Sequence, residues 1–106
     1  MDESKFEHLA ALTLDALEEA LAEVDETVDV QLSMGVLTVS FEDGTKMVIN
    51  SHRAARQIWM SADARAWHFD PVDGAWISAK DGAELWSLVQ DKTSKRLGRP
   101  LSLRPA

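Results

Sequence analysis

Seven carboxylates fall within sixteen consecutive positions, LDALEEALAEVDETVD (residues 14–29), with no lysine or arginine among them. Asp15, Glu18, Glu19, Glu23, Asp25, Glu26 and Asp29 are hard oxygen donors. Grouped on one surface, they suit a hard cation or a basic protein surface. The chain has no cysteine, so thiolate ligands, thiol nucleophiles and disulfides are excluded, and any metal must be held by oxygen or imidazole. His8, two helical turns before Asp15, is a candidate nitrogen donor, with an exposed spectator as the alternative. The acids lack the D-x-[DN]-x-[DN]-G loop that wraps calcium, so a closed site of fixed stoichiometry is not expected. The competing reading is a solvated helix face, but such a face needs charge, not charge of one sign. Neighbours such as Asp15 with Glu18 and Glu19, or Glu19 with Glu23, cost roughly 0.2–0.5 kcal/mol per pair. Their repulsion is expected to raise the folded pKa of these carboxyls.

A second candidate is Trp59. In QIWMS (57–61) alternation sets Ile58 and Met60 on one face and Gln57, Trp59 and Ser61 on the other, so a large aromatic lies among polar residues. Exposed tryptophans are enriched at interface hot spots; the alternative is a strand covered on both faces. Trp67, Trp76 and Trp86 are expected in the core. Catalytic signals are absent: no Gly-rich phosphate loop, no H-E-x-x-H and no nucleophile motif, with His8, His52 and His68 far apart in sequence. His68 is read as packing at a strand end.

These residues need elements to position them. On a helical wheel Phe6, Leu9, Ala10, Thr13, Leu17, Ala20, Leu21 and Val24 share one arc, with Asp15, Glu18, Glu19, Asp25 and Glu26 opposite. Ser4 with Glu7 reads as a capping box, so a first helix is expected from Ser4 to about Val24. Val28, Val30, Leu32 and Met34 then alternate with polar residues as a strand turning at Gly35. VLTVSF (36–41) and TKMVIN (45–50) flank Glu42-Asp43-Gly44, a hairpin signal. SHRAAR reads as irregular, and QIWMS, AWHF (66–69) and AWIS (75–78) continue a meander. A second helix is expected from Asp81, with Glu84 as reciprocal partner, carrying Leu85, Trp86, Leu88 and Val89 and ending at Gly98 and Pro100.

The 106 residues are expected to form one domain, with a basic tail from about residue 98. The formal charge of −7 is polarised: residues 1–29 carry ten acids and one base, while residues 92–106 carry Lys92, Lys95, Arg96, Arg99 and Arg104 and no acid. A net acidic chain is a poor partner for nucleic acid, and the basic tail is read as a solvated helix end. No apolar run approaches a membrane span, and the N-terminus shows no targeting pattern, so a cytoplasmic location is expected. The fold class is α+β: a two-layer α/β sandwich, N- and C-terminal helices on one face of an antiparallel sheet of about six strands.

In this order the acidic first helix, GVLTVSFEDGTKMVIN, QIWM, WHFD with WIS, and DGAELW resemble the frataxin family, particularly its bacterial members, over roughly residues 4–97. The resemblance implies a non-enzymatic role in iron–sulfur cluster assembly. It implies weak binding of ferrous or ferric iron, with manganese or calcium competing, and partners in a cysteine desulfurase and the iron–sulfur scaffold protein. It maps the family's acidic ridge onto Asp15, Glu18, Glu19, Glu23, Asp25, Glu26 and Asp29, with Glu18 and Glu19 meeting the desulfurase. It also matches the family's sheet tryptophan to Trp59, beside Gln57. Many bacterial frataxins carry more acids into the first strand, where this chain has only Asp29, so a smaller metal capacity is expected. A monomer is expected, with iron-dependent oligomers left open. A metal-dependent ferroxidase or a plain divalent-cation buffer are the alternatives.

Overall fold

A computed structural model describes residues 1–105 of the expected 1–106 domain. Two helices, α1 (Glu3–Ala22) and α2 (Leu85–Leu97), enclose six strands between them in sequence: β1 (Asp29–Ser33), β2 (Val36–Ser40), β3 (Lys46–His52), β4 (Gln57–Ala62), β5 (Arg65–Val72) and β6 (Ala75–Ser78). The strands form one antiparallel sheet in sequence order, each paired only with its chain neighbours. Both helices lie against one face, which makes the expected two-layer sandwich.

Turn chemistry fixes the register. Two-residue turns at Met34-Gly35, Asp63-Ala64 and Asp73-Gly74, all at positive φ, match the twist of their flanking strands. Gly35 has a second reason to be glycine: a Cβ there would stand 2.8 Å from Ser51 Oγ. This hairpin corrects the alternating pattern expected to run through Met34, which sits in the turn and is 99% exposed. Further along, Ser51 and His52 extend β3 into the segment expected to be irregular, and β5 runs past Asp70 through Pro71.

Alternation buries Leu37, Val39, Met47, Ile49, Ile58, Met60, Trp67, Phe69 and Trp76 beneath the helices. Helix α1 covers them with Phe6, Ala10, Leu14, Leu17 and Leu21, and α2 with Leu85, Val89 and Thr93. Each fully buried Leu or Phe contributes about 1.5–3 kcal/mol relative to exposure. The seam on α1 is rotated from the expected arc: Leu14 is buried and Leu9 exposed. Thr13 lies at its margin, where its hydroxyl donates to Leu9 O (2.9 Å) and accepts the indole N–H of Trp76 (2.9 Å). Trp67 and Trp76 are core as expected, while Trp86 is only half-buried.

Both helix starts differ from expectation by the identity of the cap. Asp2 rather than Ser4 caps α1, accepting from Lys5 N–H at 2.8 Å. At α2 the Glu84 carboxylate accepts from Trp86 and Ser87 N–H (2.8 and 3.1 Å), while Asp81 closes a separate turn onto Ala83 N–H (3.1 Å). Nor is the basic tail a solvated helix end. Leu103 is buried and its N–H donates to Gln90 Oε1 at 2.8 Å, so the segment after Gly98 lies as a strap across α1 and α2. Lys92 and Arg96 are used internally too, both pairing with Asp63 in the β4–β5 turn. Among the described residues no helix is long and apolar enough to cross a membrane.

Candidate functional site

The helix places Asp15, Glu18 and Glu19 along the side of α1 away from the core; Glu23 is its C-cap, Asp25 and Glu26 fill the turn, and Asp29 opens the edge strand β1. Five of the seven are exposed, with Glu18 and Asp25 half-buried. The seven expected residues thus follow one another along α1, through the turn after it and onto the first residue of the edge strand. The lower end of this strip combines two unfavourable terms: like charges beside one another, and carboxylates at a helix C-terminus whose dipole is negative and whose last turn has no basic residue.

One cation relieves that end. Arg99 reaches back from the strap to donate to Val24 O (2.6 Å) and Asp25 Oδ2 (3.2 Å). Asp25 Oδ1 also accepts from the N–H and hydroxyl of Thr27 (2.9 and 2.7 Å). These bonds, the Thr27 N–H first, then its hydroxyl and Arg99, hold the Asp25 carboxyl below the usual carboxylate range. This reverses the expected direction for that residue: fixed donors and the Arg99 charge outweigh the partial desolvation that opposes them. His8 is exposed on α1. Among the described residues no three His, Asp or Glu side chains converge closely enough to hold a metal ion. The strip is thus an open row of donors, suited to transient multidentate contact rather than a closed coordination sphere.

The opposite face of the sheet carries no helix, and there Trp59 is built into a stack. Its indole lies between two imidazoles, His52 at 3.8 Å and His68 at 4.2 Å between ring centroids, each tilted by 13°. The indole N–H donates to Gln57 Oε1 (2.8 Å), whose amide in turn donates to Asp70 Oδ1 (3.0 Å). The expected outward placement of Gln57, Trp59 and Ser61 holds, but both π-faces of the indole are covered and only its edge is free. His68 therefore stacks in the middle of β5 rather than packing at a strand end.

His52, His68 and Asp70 were not legible as site residues one at a time, although pairing gives them away. A two-residue turn at Asp63-Ala64 sets Ala62 opposite Arg65, and counting back sets Trp59 opposite His68. The β3–β4 pairing likewise sets His52 opposite Gln57, one diagonal step from Trp59.

With both surfaces located, comparison with known proteins is decisive. The family model for a frataxin-like domain matches residues 1–99. The chain belongs to the frataxin family. Among curated relatives, the iron–sulfur cluster assembly protein CyaY of Tolumonas auensis is 35% identical over 103 residues, 97% of this chain and 99% of its own length. CyaY of Vibrio cholerae serotype O1 is 33% identical over 101 residues, 95% and 97% of the two chains. Among solved structures, frataxin from Psychromonas ingrahamii superposes with a TM-score of 0.89 at 27% identity, covering 96% of this chain and 97% of that one. Trimeric yeast frataxin superposes with a TM-score of 0.77 at 30% identity, covering 86% and 80%. The two helices and six-stranded antiparallel sheet are the frataxin fold, as the residue motifs implied.

Proposed function

We propose that this frataxin-family chain serves iron–sulfur cluster assembly as a non-enzymatic adaptor with two docking surfaces. The ridge of Asp15, Glu18, Glu19, Glu23, Asp25, Glu26 and Asp29 meets a basic surface of the cysteine desulfurase, and the Trp59 stack with Gln57 meets the scaffold protein. The single observation that carries the reading is the segregation of the two surfaces: an acid-rich strip from α1 to the sheet edge, where Arg99 pairs with Asp25 at its lower end, and a pre-ordered aromatic element on the face that no helix covers. Both could be engaged at once. The names of the bacterial relatives support the assembly role, and the ridge's charge supports the basic partner.

Iron fits this picture as cargo. Open, exposed carboxylates favour weak oxygen coordination of ferrous or ferric ions, and nothing in the strip selects against manganese or calcium. A yeast relative has been solved in complex with ferrous iron. The test is capture of purified desulfurase and scaffold by the wild type and by Glu18→Lys/Glu19→Lys, across a salt series. The expected result is desulfurase binding that falls steeply from low to physiological salt and collapses in the charge-reversed variant, with both proteins equally folded. Salt-independent affinity would overturn the ridge assignment. Metal uptake with no protein captured would leave a cation buffer, and ferrous oxidation above the buffer rate would make the chain a ferroxidase.

A further inference from the structure

The far edge of the sheet is only half closed. Strand β6 pairs with β5 over Phe69–Val72 and then stops at Ser78, because the chain turns back on itself: Ser78 N–H donates to Ala83 O (2.8 Å) and Gly82 N–H to Ser78 O (2.7 Å). The first half of β5, from Arg65 to His68, runs on past the end of β6. Beside it lies a concavity of about 590 Å³, bounded by Arg65, Trp67 and His68 on the strand and by Lys80 and Asp81 on the loop after β6.

The charges in this concavity are unequal in their availability. Both carboxylates are already engaged: Asp70 accepts the Gln57 amide, and Asp81 accepts Ala83 N–H. The bond from Ala83, then the Ser78 hydroxyl, with Arg65's charge adding to them, keeps the Asp81 carboxyl below the usual range. The cations are less fully used. Arg65 lies over the Trp67 ring at 4.9 Å, and among the described residues neither Arg65 nor Lys80 forms an ion pair.

We infer that this half-open edge is a docking site for an extended acidic segment of a partner protein, which adds a short strand beside Arg65–His68 and sets its carboxylates against Arg65 and Lys80. Four residues of edge offer about 13 Å of strand, enough for one short addition. His68 belongs both to this edge and to the Trp59 stack, so the inference deepens the sheet-face reading and rests on it: the scaffold's contacting segment is acidic where the desulfurase's is basic. Opposite charge preferences on the two surfaces would keep the two partners from exchanging places.

The rival role for Arg65 and Lys80 is to guard an open edge against self-pairing, and the experiment separates the two. The probe is an eight-residue oligoglutamate peptide, titrated at low salt into the intact ¹⁵N-labelled protein, with inorganic phosphate in a parallel arm. Expected are saturable shifts at the amides of Arg65, Ala66, Trp67 and His68 and at the Trp59 indole. Arg65→Gln/Lys80→Gln should weaken binding about fivefold, since each exposed pair is worth little by itself, and Lys80→Glu should do at least as much. Four results would overturn the inference: shifts centred on the basic end of α2, the same shifts from phosphate at equal concentration, undiminished binding by the double variant, or a double variant that ignores the peptide and self-associates. Scaffold capture keeps the two readings apart. If Trp59→Ala abolishes capture while Arg65→Gln/Lys80→Gln does not, the edge inference falls and the sheet-face reading stands. If the peptide binds at the edge but the wild type captures no scaffold, the sheet-face reading falls instead.

Discussion

Along α1 seven carboxylates share a strip that holds only Asp25 firmly, whereas on the sheet a single indole is fixed by an imidazole on each π-face and a glutamine at its N–H. The difference is one of range against geometry. Charge acts over a Debye length of about 8 Å at physiological salt and tolerates mobile side chains, so the ridge can draw in a basic surface before any contact is made. Stacking acts only at contact, and its value depends on a ring already held in place, since ordering one rotamer-rich side chain at an interface costs about 0.5–1.5 kcal/mol. A molecule with one surface of each kind can separate fast encounter from accurate docking.

The largest expected effect tests the geometric half. Trp59→Ala should reduce scaffold capture tenfold or more, as for an interface hot spot, while urea unfolding shows a loss of only about 1 kcal/mol, because the ring lies outside the helix-covered core and its loss opens no core cavity. A loss of several kcal/mol would make the stack a structural element and leave the sheet face without a docking role.

The next test concerns the one ordered carboxylate of the ridge. Asp25→Asn removes the charge that accepts from Thr27 and Arg99. Because the folded pKa of Asp25 is depressed, its contribution is fully present above the unfolded value of 3.8 and is lost as pH falls through the lower folded value. The wild type should therefore exceed the variant in stability at pH 7, and the gap should begin to narrow in the acid limb below about pH 4. Unfolding curves at pH 7 and pH 3 check this; a gap as large at pH 3 as at pH 7 would mean that shape rather than charge holds the turn.

The smallest effect has the opposite sign. Glu19→Gln should raise stability by roughly 0.2–0.5 kcal/mol per repulsive pair relieved, a shift of about 1–3 °C in Tm. The same change should weaken both iron binding and desulfurase capture. Millimolar calcium or manganese should stabilise the wild type by binding the folded state. If the variant is no more stable than wild type in thermal scans, and the wild type is indifferent to metal, the ridge is an ordinary solvated face and the contrast with the sheet disappears.

Most of the architecture was legible because local chemistry and tertiary structure agree. Asp43-Gly44 and Asp73-Gly74 are turn residues between alternating runs, and the hairpins form where they stand. Legibility failed where two residues compete for one role. Ser4 and Asp2 are both good caps, and so are Asp81 and Glu84; the outcome depends on where the helix axis meets the sheet, which no local window contains. The strap failed for a related reason. Its charges suggested solvation, while the residues that anchor it, buried Leu103 and half-buried Leu101, are one alternating pair between prolines, too short to announce an element. Of the site, the ridge could be read from composition because exposed charge needs no precise placement. The Trp59 stack could be read only in part, because its three rings come from three strands and meet only once register is fixed.

The meander has a consequence for how the chain reaches this state. Every strand pairs with its immediate neighbour in sequence, so the sheet can zip hairpin by hairpin with little loop closure at each step, the topology that favours fast folding. Helix α1 leaves the ribosome before the sheet it covers, yet its apolar seam has nothing to cover until β1 to β3 exist, and its own like charges argue against early helicity. The acid-bearing helix therefore docks late, on a sheet already formed, and a Leu17→Ala chevron should show its loss chiefly as faster unfolding rather than slower folding. The surface that draws in partners would be the last part of the molecule to assemble and the first to come loose.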